Sequence, residues 1–517
     1  MTKRLLALVA CMAVMCLAVM VRTAAAQDAR TVLQAAARTM GADNLKTVQI
    51  SGTGVTAAVG QSYSPNDDWP RFEVTKYTKT IDYDAKSSRE ELTRRQGTNP
   101  PRGGGGTPLQ GEQQQVFIVS GNSAWNMPAN NAVPAPAAAE VRQLEIWLTP
   151  HGFLKGALAG NPTAITTTVA GPSTPGMTQG GRKATMVSFT ALGKYRVNGM
   201  INDQNLVEMV QTRIPNPVMG DMLYDLRYTD YKDFAGVKFP TLIHVHQGEP
   251  RLNPGHNSSE IKVTNIQANL TVPAVAVPDA VRQATVPAVR VESQKLADGV
   301  WLVAGGTHNS VAVDFRDYAV VVEAPLNEDR SLAVIGEVNK LIPNKPIRYV
   351  VSTHHHFDHS GGLRTYVAQG ATIVTHQGNR EFYEQVVFSP APWTLQPDRL
   401  AAFYPYYANN RTPALETVNQ KYVLSDGVRT LDLYPVQGLN HASTMLLVYL
   451  PKEKILVNAD LYSPPAPGAP PPVSNANIVS LNQNIQRLKL DVTQHVPIHG
   501  VVGTAADFLK IVGNPSN

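Results

Sequence analysis

Four histidines and an aspartate fall within six positions of "VSTHHHFDHSGG", residues 351–362: His354, His355, His356, Asp358 and His359. The pattern is His354-x-His356-x-Asp358-His359. Imidazole and carboxylate donors suit zinc or another borderline first-row metal, and two ligands at i and i+2 on a loop can converge on one ion. Asp358 and His359 then face a second position. The surroundings argue against a merely solvated polar loop. "IRYVV" before the stretch reads as a central strand, and "SGGLRTYV" after it as a helix start. Loops that follow the C-terminal ends of such strands are where sites are built.

Other residue types limit the chemistry. The two cysteines, Cys11 and Cys16, sit in the first 26 residues, where "MTKR" precedes the apolar run "LLALVACMAVMCLAVMV" and the small-residue stretch "TAAAQDA". This is the pattern of a secretory signal peptide cut after Ala26, so the mature chain is expected in the periplasm or outside the cell. Cys11 has too few apolar residues ahead of it for lipoprotein processing. The mature chain has no disulfide, thiolate ligand or cysteine nucleophile, and a metal must be held by His and carboxylates. Net charge is +5, of which Lys3, Arg4 and Arg22 in the signal segment supply three, leaving +2. That is too little to argue for a nucleic-acid or membrane-surface partner. The expected partner is a small-molecule substrate, with no stable membrane insertion after signal cleavage. The sequence gives no handle on oligomeric state.

At 517 residues the chain calls for two or more compact units. After a helical segment ("ARTVLQAAARTMG"), "TVQISGTGVTAAV", "RFEVTKYTKTIDYD" and "QQVFIVSGNSAWNM" alternate with the period of half-buried strands. "AAEVRQLEIWLTPHGFLKGAL" has helical spacing at Val141, Leu144, Trp147 and Leu148, and further strands follow. This half resembles, by strand pattern alone, the half-barrels of periplasmic lipoprotein-carrier-like domains. We therefore expect a β-rich accessory domain at 27–270, a Pro-punctuated linker at 271–290 and an α/β domain at 291–517. In the last, "GVWLVAGGTHNSVAVDFRDYAVVVEAP" reads as two antiparallel strands before alternating helices and strands.

The stretch 351–362 resembles the signature of metallo-β-lactamase-fold hydrolases, whose fold is a four-layered αβ/βα sandwich. Segments similar to the rest of that family's ligand set follow in order: "VQGLNHASTMLLVYLP" with His441, "EKILVNADLYS" with Asp460, and "VTQHVPIHGVVG" with His499, where Ile498 replaces a glycine. The resemblance implies a first site of His354, His356 and His441, and a second of Asp358, His359 and His499, with Asp460 bridging. It implies two zinc ions per chain, iron or manganese being alternatives. Two such ions can supply a bridging hydroxide near neutral pH and polarise a scissile carbonyl, while Asp358 orients the hydroxide and passes a proton.

His308, Trp393 and Tyr462 are candidates for touching substrate, and His355 for a bystander or supporting role. His244, His246, His376 and His495 read as surface or packing residues. Aromatics from the insert at 386–410 (Phe388, Trp393, Phe403, Tyr404, Tyr406 and Tyr407) would either wall the pocket or form the core of a helical cap, and the Pro-rich loop after Asp460 would lie at the mouth. Zinc β-lactamases often carry Cys or Ser in place of Asp460 and a nearby Lys. Here Leu461, Tyr462 and Ser463 follow with no cation, and a bridging Asp resembles instead the pattern of glyoxalase-II-like thioesterases, lactonases and phosphoesterases. The reading is a hydrolase of esters, thioesters, lactones or amides. The alternatives are β-lactamase activity, a mononuclear iron dioxygenase of the persulfide type, and a ligand-binding protein with a vestigial metal domain.

Overall fold

The computed structural model describes residues 29–97, 102–104, 109–169, 182–248, 256–389, 392–403, 413–465, 468–470 and 472–513. Residues 1–26, expected as a signal segment, and Tyr404, Tyr406 and Tyr407 lie outside them. Among the described residues no helix is long and apolar enough to cross a membrane.

The amino-terminal half builds one antiparallel sheet of thirteen described strands, from Thr47–Ala57 to His256–Ala268 in chain order. These first and last long strands pair with each other, Val48 opposite Ala268, so the sheet is tied together at its middle. Residues 29–40 and the helices Ala139–Leu148 and Pro150–Ala159 cover it. Leu33, Met40, Leu148, Phe153 and Leu154 bury themselves among Val187, Val197, Val210 and Tyr228. Gly199 makes room for the Phe153 ring, because a Cβ there would come within 2.3 Å of it.

The segment 138–158 is two helices, not one. Thr149 is extended (φ −65°, ψ 155°) and its hydroxyl accepts from Gly152 N, while Pro150 begins the second helix where its missing N–H costs nothing. The strand Ser87–Gln96 is charged along its length, and Lys79–Glu90 (3.1 Å) and Arg95–Glu73 (2.9 Å) pair across to its neighbour. Within 271–290 a turn of helix, Asp279–Arg282, seats Val281 against Val116, Ile118 and Trp125.

The carboxyl-terminal half packs a seven-stranded sheet (strands between Glu292 and Val418) on a six-stranded one (Tyr422 to Thr504). Period-2 alternation sorts the side chains. Val311, Val313, Val320 and Val322 enter the core shared with Leu433, Leu446, Val448 and Leu456. Ala312 and Val321 face the other way, among Val334, Val338, Leu363 and Val367 from the helices Glu328–Leu341 and Leu363–Ala368. On the second sheet, Ala476–Leu488 and Ala505–Val512 contribute Ile478, Leu481, Phe508 and Ile511. The result is helix, sheet, sheet, helix: the metallo-β-lactamase fold. Residues 300–322 form three strands, Val300–Gly305, His308–Asp314 and Ala319–Val322, since Gly306 (φ +63°) turns the chain once more than the hydrophobic pattern shows.

The halves are joined by more than the chain. Asp221 accepts from Thr394 N (2.9 Å), Thr394 Oγ1 (2.6 Å) and Leu395 N (3.0 Å), and its own N–H donates to Pro392 O.

Candidate metal centre

Parallel strands aim the ligand-type side chains at one end of the sandwich. Ile347–Val351, buried at Val350 and Val351, ends just before His354 and His356. A single turn of helix, Phe357–Ser360, then turns Asp358 and His359 inward. The paired strands Ile455–Asn458 and Gln494–Pro497 each end two residues before their contribution, Asp460 and His499. His441 comes from the connection between Thr430–Pro435 and Leu446–Leu450. Asp460 takes left-handed backbone (φ +58°), as does Glu323 (φ +77°), conformations that cost a non-glycine residue energy and that cluster at sites.

The side chains form two groups, His354, His356, His441 and Asp460, and His308, Asp358, His359 and His499. Within each, one donor atom per residue lies within 4.8 Å of the others. Asp460 touches both groups. Its Oδ2 is 3.2 Å from His354 Nε2, 3.0 Å from His441 Nε2 and 3.0 Å from His359 Nε2, and its Oδ1 is 3.0 Å from His499 Nε2. His354 and His441 face each other Nε2 to Nε2 at 3.3 Å, as do His359 and His499. Donors bound at ~2.0–2.1 Å around a tetrahedral ion stand roughly 3.3 Å apart, so this spacing fits a first-row cation.

The polar partners set which nitrogen each imidazole offers. His356 Nε2 donates to the Ser62 carbonyl (2.8 Å), leaving the buried Nδ1 without a partner and available to an ion. His354 Nδ1 meets Thr353 Oγ1 (3.0 Å) and His499 Nδ1 donates to Thr307 O (2.9 Å), so both present Nε2.

The electrostatics agree. Burial, with His359 as a charged neighbour, lowers the His354 imidazole to about 4. Burial likewise holds His356 neutral, helped by the crowding of His354 and His441. Asp358 and Asp460 stay ionised, since burial alone would raise them but the surrounding histidines outweigh it. Burial opposes charge on His359 too, yet Asp460 and Glu323 reverse the balance and raise it, placing positive charge between the carboxylates. His354 and His356 are thus neutral, as metal ligation needs, whereas Asp460, against burial, raises His499 along with His359, so a cation binding there displaces protons.

All seven residues expected as ligands converge here, with His308 as an eighth donor. Its Nε2 lies 3.3 Å from Asp358 Oδ2, and its ring is edge-on to His499 with centroids 4.1 Å apart. Expected as a substrate contact, His308 is 5% exposed and belongs to the donor group itself. Neither of the other two candidate substrate contacts, Tyr462 and Trp393, belongs to the donor groups. Tyr462 packs into the core against His495 and Phe508, because Tyr462 N folds back onto Asn458 Oδ1 (3.0 Å). Trp393 lies at the seam between the halves, its ring 3.7 Å from the Arg364 guanidinium and close against Gly220. Phe388 is buried beside Tyr383, and Phe403 is exposed. The loop after Asp460 does reach the site's edge, with Pro464 against Gly500 and Gly503.

His355 supports rather than ligates. It is buried, with Nδ1 2.9 Å from Thr444 Oγ1 and Nε2 3.2 Å from Ser62 Oγ. His376 caps a turn by accepting from Gly378 N, and His244 pairs with Glu260.

Sequence reasoning passed over several supporting residues. Glu323 is fully buried, accepts from Thr353 Oγ1 (2.6 Å) and lies 3.4 Å from His359 Nδ1. An acid ending the otherwise apolar "AVVVEAP" was its signal. Arg330, also buried, donates to the carbonyls of Val303 and His308. Asn309 Nδ2 bonds Pro497 O and Gly500 O, bracing the His499 turn.

Residues 303–492 match the family model described as the metallo-β-lactamase superfamily. Similar solved structures include DIM-1 metallo-β-lactamase, 17% identical, covering 44% of this chain and 97% of that one with a TM-score of 0.32. A metallo-β-lactamase from Pontibacter korlensis is 20% identical over 44% of this chain and 100% of that one (TM-score 0.31). The metallo-β-lactamase FIM-1 from Pseudomonas aeruginosa in its mono-zinc form is 20% identical over 44% and 96% (TM-score 0.30). A search of curated protein sequences returned no match. Members of the superfamily are generally hydrolases.

Proposed function

We propose that the protein is a zinc-dependent hydrolase with two ions per chain, cleaving a small-molecule ester, thioester, lactone or amide. It would act in the periplasm or outside the cell after loss of residues 1–26. The observation that carries this reading is Asp460, one carboxylate within 3.0–3.2 Å of imidazoles from both donor groups. His354, His356, His441 and Asp460 would hold one ion, and Asp358, His359, His499 and Asp460, with His308 beside them, the other. When bound, the ions supply a water of lowered pKa and polarise the carbonyl under attack.

The protein's own residues do the rest. Asp358 would orient the attacking water and relay its proton to the leaving group as the acyl bond breaks. Glu323 and Thr353 hold the loop that carries four of the donors, His354, His356, Asp358 and His359. With no thiol among the donors, the site is built from hard and borderline ligands throughout.

The test is a panel of lactone, thioester, phosphodiester and cephalosporin probes with the full-length mature protein. Turnover should appear with the lactone or thioester probes and drop by ~10²–10⁴-fold in Asp358→Ala. Turnover that Asp358→Ala leaves intact would refute the assigned role. One iron per chain with oxygen consumption in place of hydrolysis would instead establish the dioxygenase reading.

A further inference from the structure

The connection between the strands Thr47–Ala57 and Arg71–Asp82 of the β-rich half does not stay on its own sheet. Gly60 O accepts from Phe357 N (3.2 Å), Ser62 O from His356 Nε2 (2.8 Å) and Tyr63 O from Ser443 N (2.8 Å). Gln61 Nε2 donates to Asp358 Oδ1 (2.7 Å). Residues 103–104 back this up, with Gly104 N on Gln61 O (2.7 Å) and Gly103 N on Asn440 O (2.8 Å). One short segment thus grips both metal-site loops, 354–359 and 440–443. The approach is close enough to dictate residue types. Gly60 has φ +75°, and a Cβ there would meet the Phe357 ring at 2.3 Å.

We propose that the amino-terminal half completes the metal centre, with Gln61 as the positioning residue of Asp358. This rests on the hydrolase reading of the site. Asp358 has two oxygens. Gln61 takes Oδ1, so that Oδ2 is the one turned toward His308 (3.3 Å) and His359 (3.6 Å). The Ser62 carbonyl does the corresponding work on the first group. It accepts the Nε2 proton of His356 and so fixes the tautomer whose Nδ1 lone pair is free. Each donor group therefore has one member whose orientation is set from outside its own domain. The accessory half is part of the catalytic unit on this account, not a separate ligand carrier.

The experiment is titration of the metal-free full chain with Zn²⁺, by chelator competition, and with Co²⁺, by visible absorption. It compares wild type, Gln61→Ala and Gln49→Ala. Gln49 bonds Thr80 (3.0 Å) within the same sheet and serves as the control. Gln61→Ala should weaken one of the two ions by ~10–100-fold, the usual effect of losing an outer hydrogen bond, and change that ion's Co²⁺ spectrum. Gln49→Ala should alter neither. Gly60→Val, which pushes the segment off Phe357, should weaken both ions. Two ions bound by wild type with unchanged affinities and spectra in Gln61→Ala would overturn this inference and leave the hydrolase reading standing. A wild-type chain that binds no ion would overturn both.

Discussion

Asp460→Asn should leave a folded protein that binds less than one metal ion per chain and has no measurable hydrolase activity. The side chain lies within 3.0–3.2 Å of four imidazole nitrogens drawn from both donor groups, so the substitution removes negative charge from both ion positions at once. An asparagine fills the same volume, yet it carries no charge and turns a donor NH₂ toward nitrogens that must themselves act as donors to the metal. Loss of an outer partner costs ~10–100-fold in metal affinity or activity, and loss of a shared ligand exceeds that. Metal analysis and turnover on the same preparation check it. Retention of full metal content by Asp460→Asn would show that the carboxylate is not shared.

Arg364→Ala should destabilise the protein by about 3–5 kcal/mol while leaving every donor residue in place. Arg364 sits on the helix that follows the metal loop and is 3% exposed. Its guanidinium binds Asp398 through Nε (2.5 Å) and Nη2 (3.0 Å), donates to Val387 O (2.8 Å) and stacks on Trp393. Removing it strands the Asp398 carboxylate, whose side chain is 11% exposed, without its partner. The double variant Arg364→Met/Asp398→Leu should recover much of the loss, because two apolar residues leave no uncompensated charge. Denaturant unfolding of both variants checks the pair. A single variant as stable as wild type would mean that the ion pair contributes little.

The donor set was largely legible, because its members sit just past the ends of buried strands, where chain order and local pattern decide position. "IRYVV" is followed by His354 and His356, "EKILVN" by Asp460 and "QHVP" by His499. What the sequence hides is what tertiary contact decides. Nothing around Gln61 marks it as a partner of Asp358, 297 residues away. Tyr462 stands two residues from Asp460, yet the left-handed turn at Asp460 sends its ring into the core. His308 follows the Gly306 turn that the hydrophobic pattern does not show, and Arg330 holds its carbonyl from a helix. The charged strand Ser87–Gln96 escapes hydrophobic patterning because ion pairs accompany its pairing with the neighbouring strand.

The central claim is that one chain presents two adjoining cation sites that share Asp460. Elemental analysis of the purified protein, after dialysis against metal-free buffer, tests it most directly. The account predicts about two zinc ions per chain, both released together by a strong chelator and both restored on adding zinc. A chain that retains one ion or none, and takes up no second when zinc is supplied in excess, would contradict it.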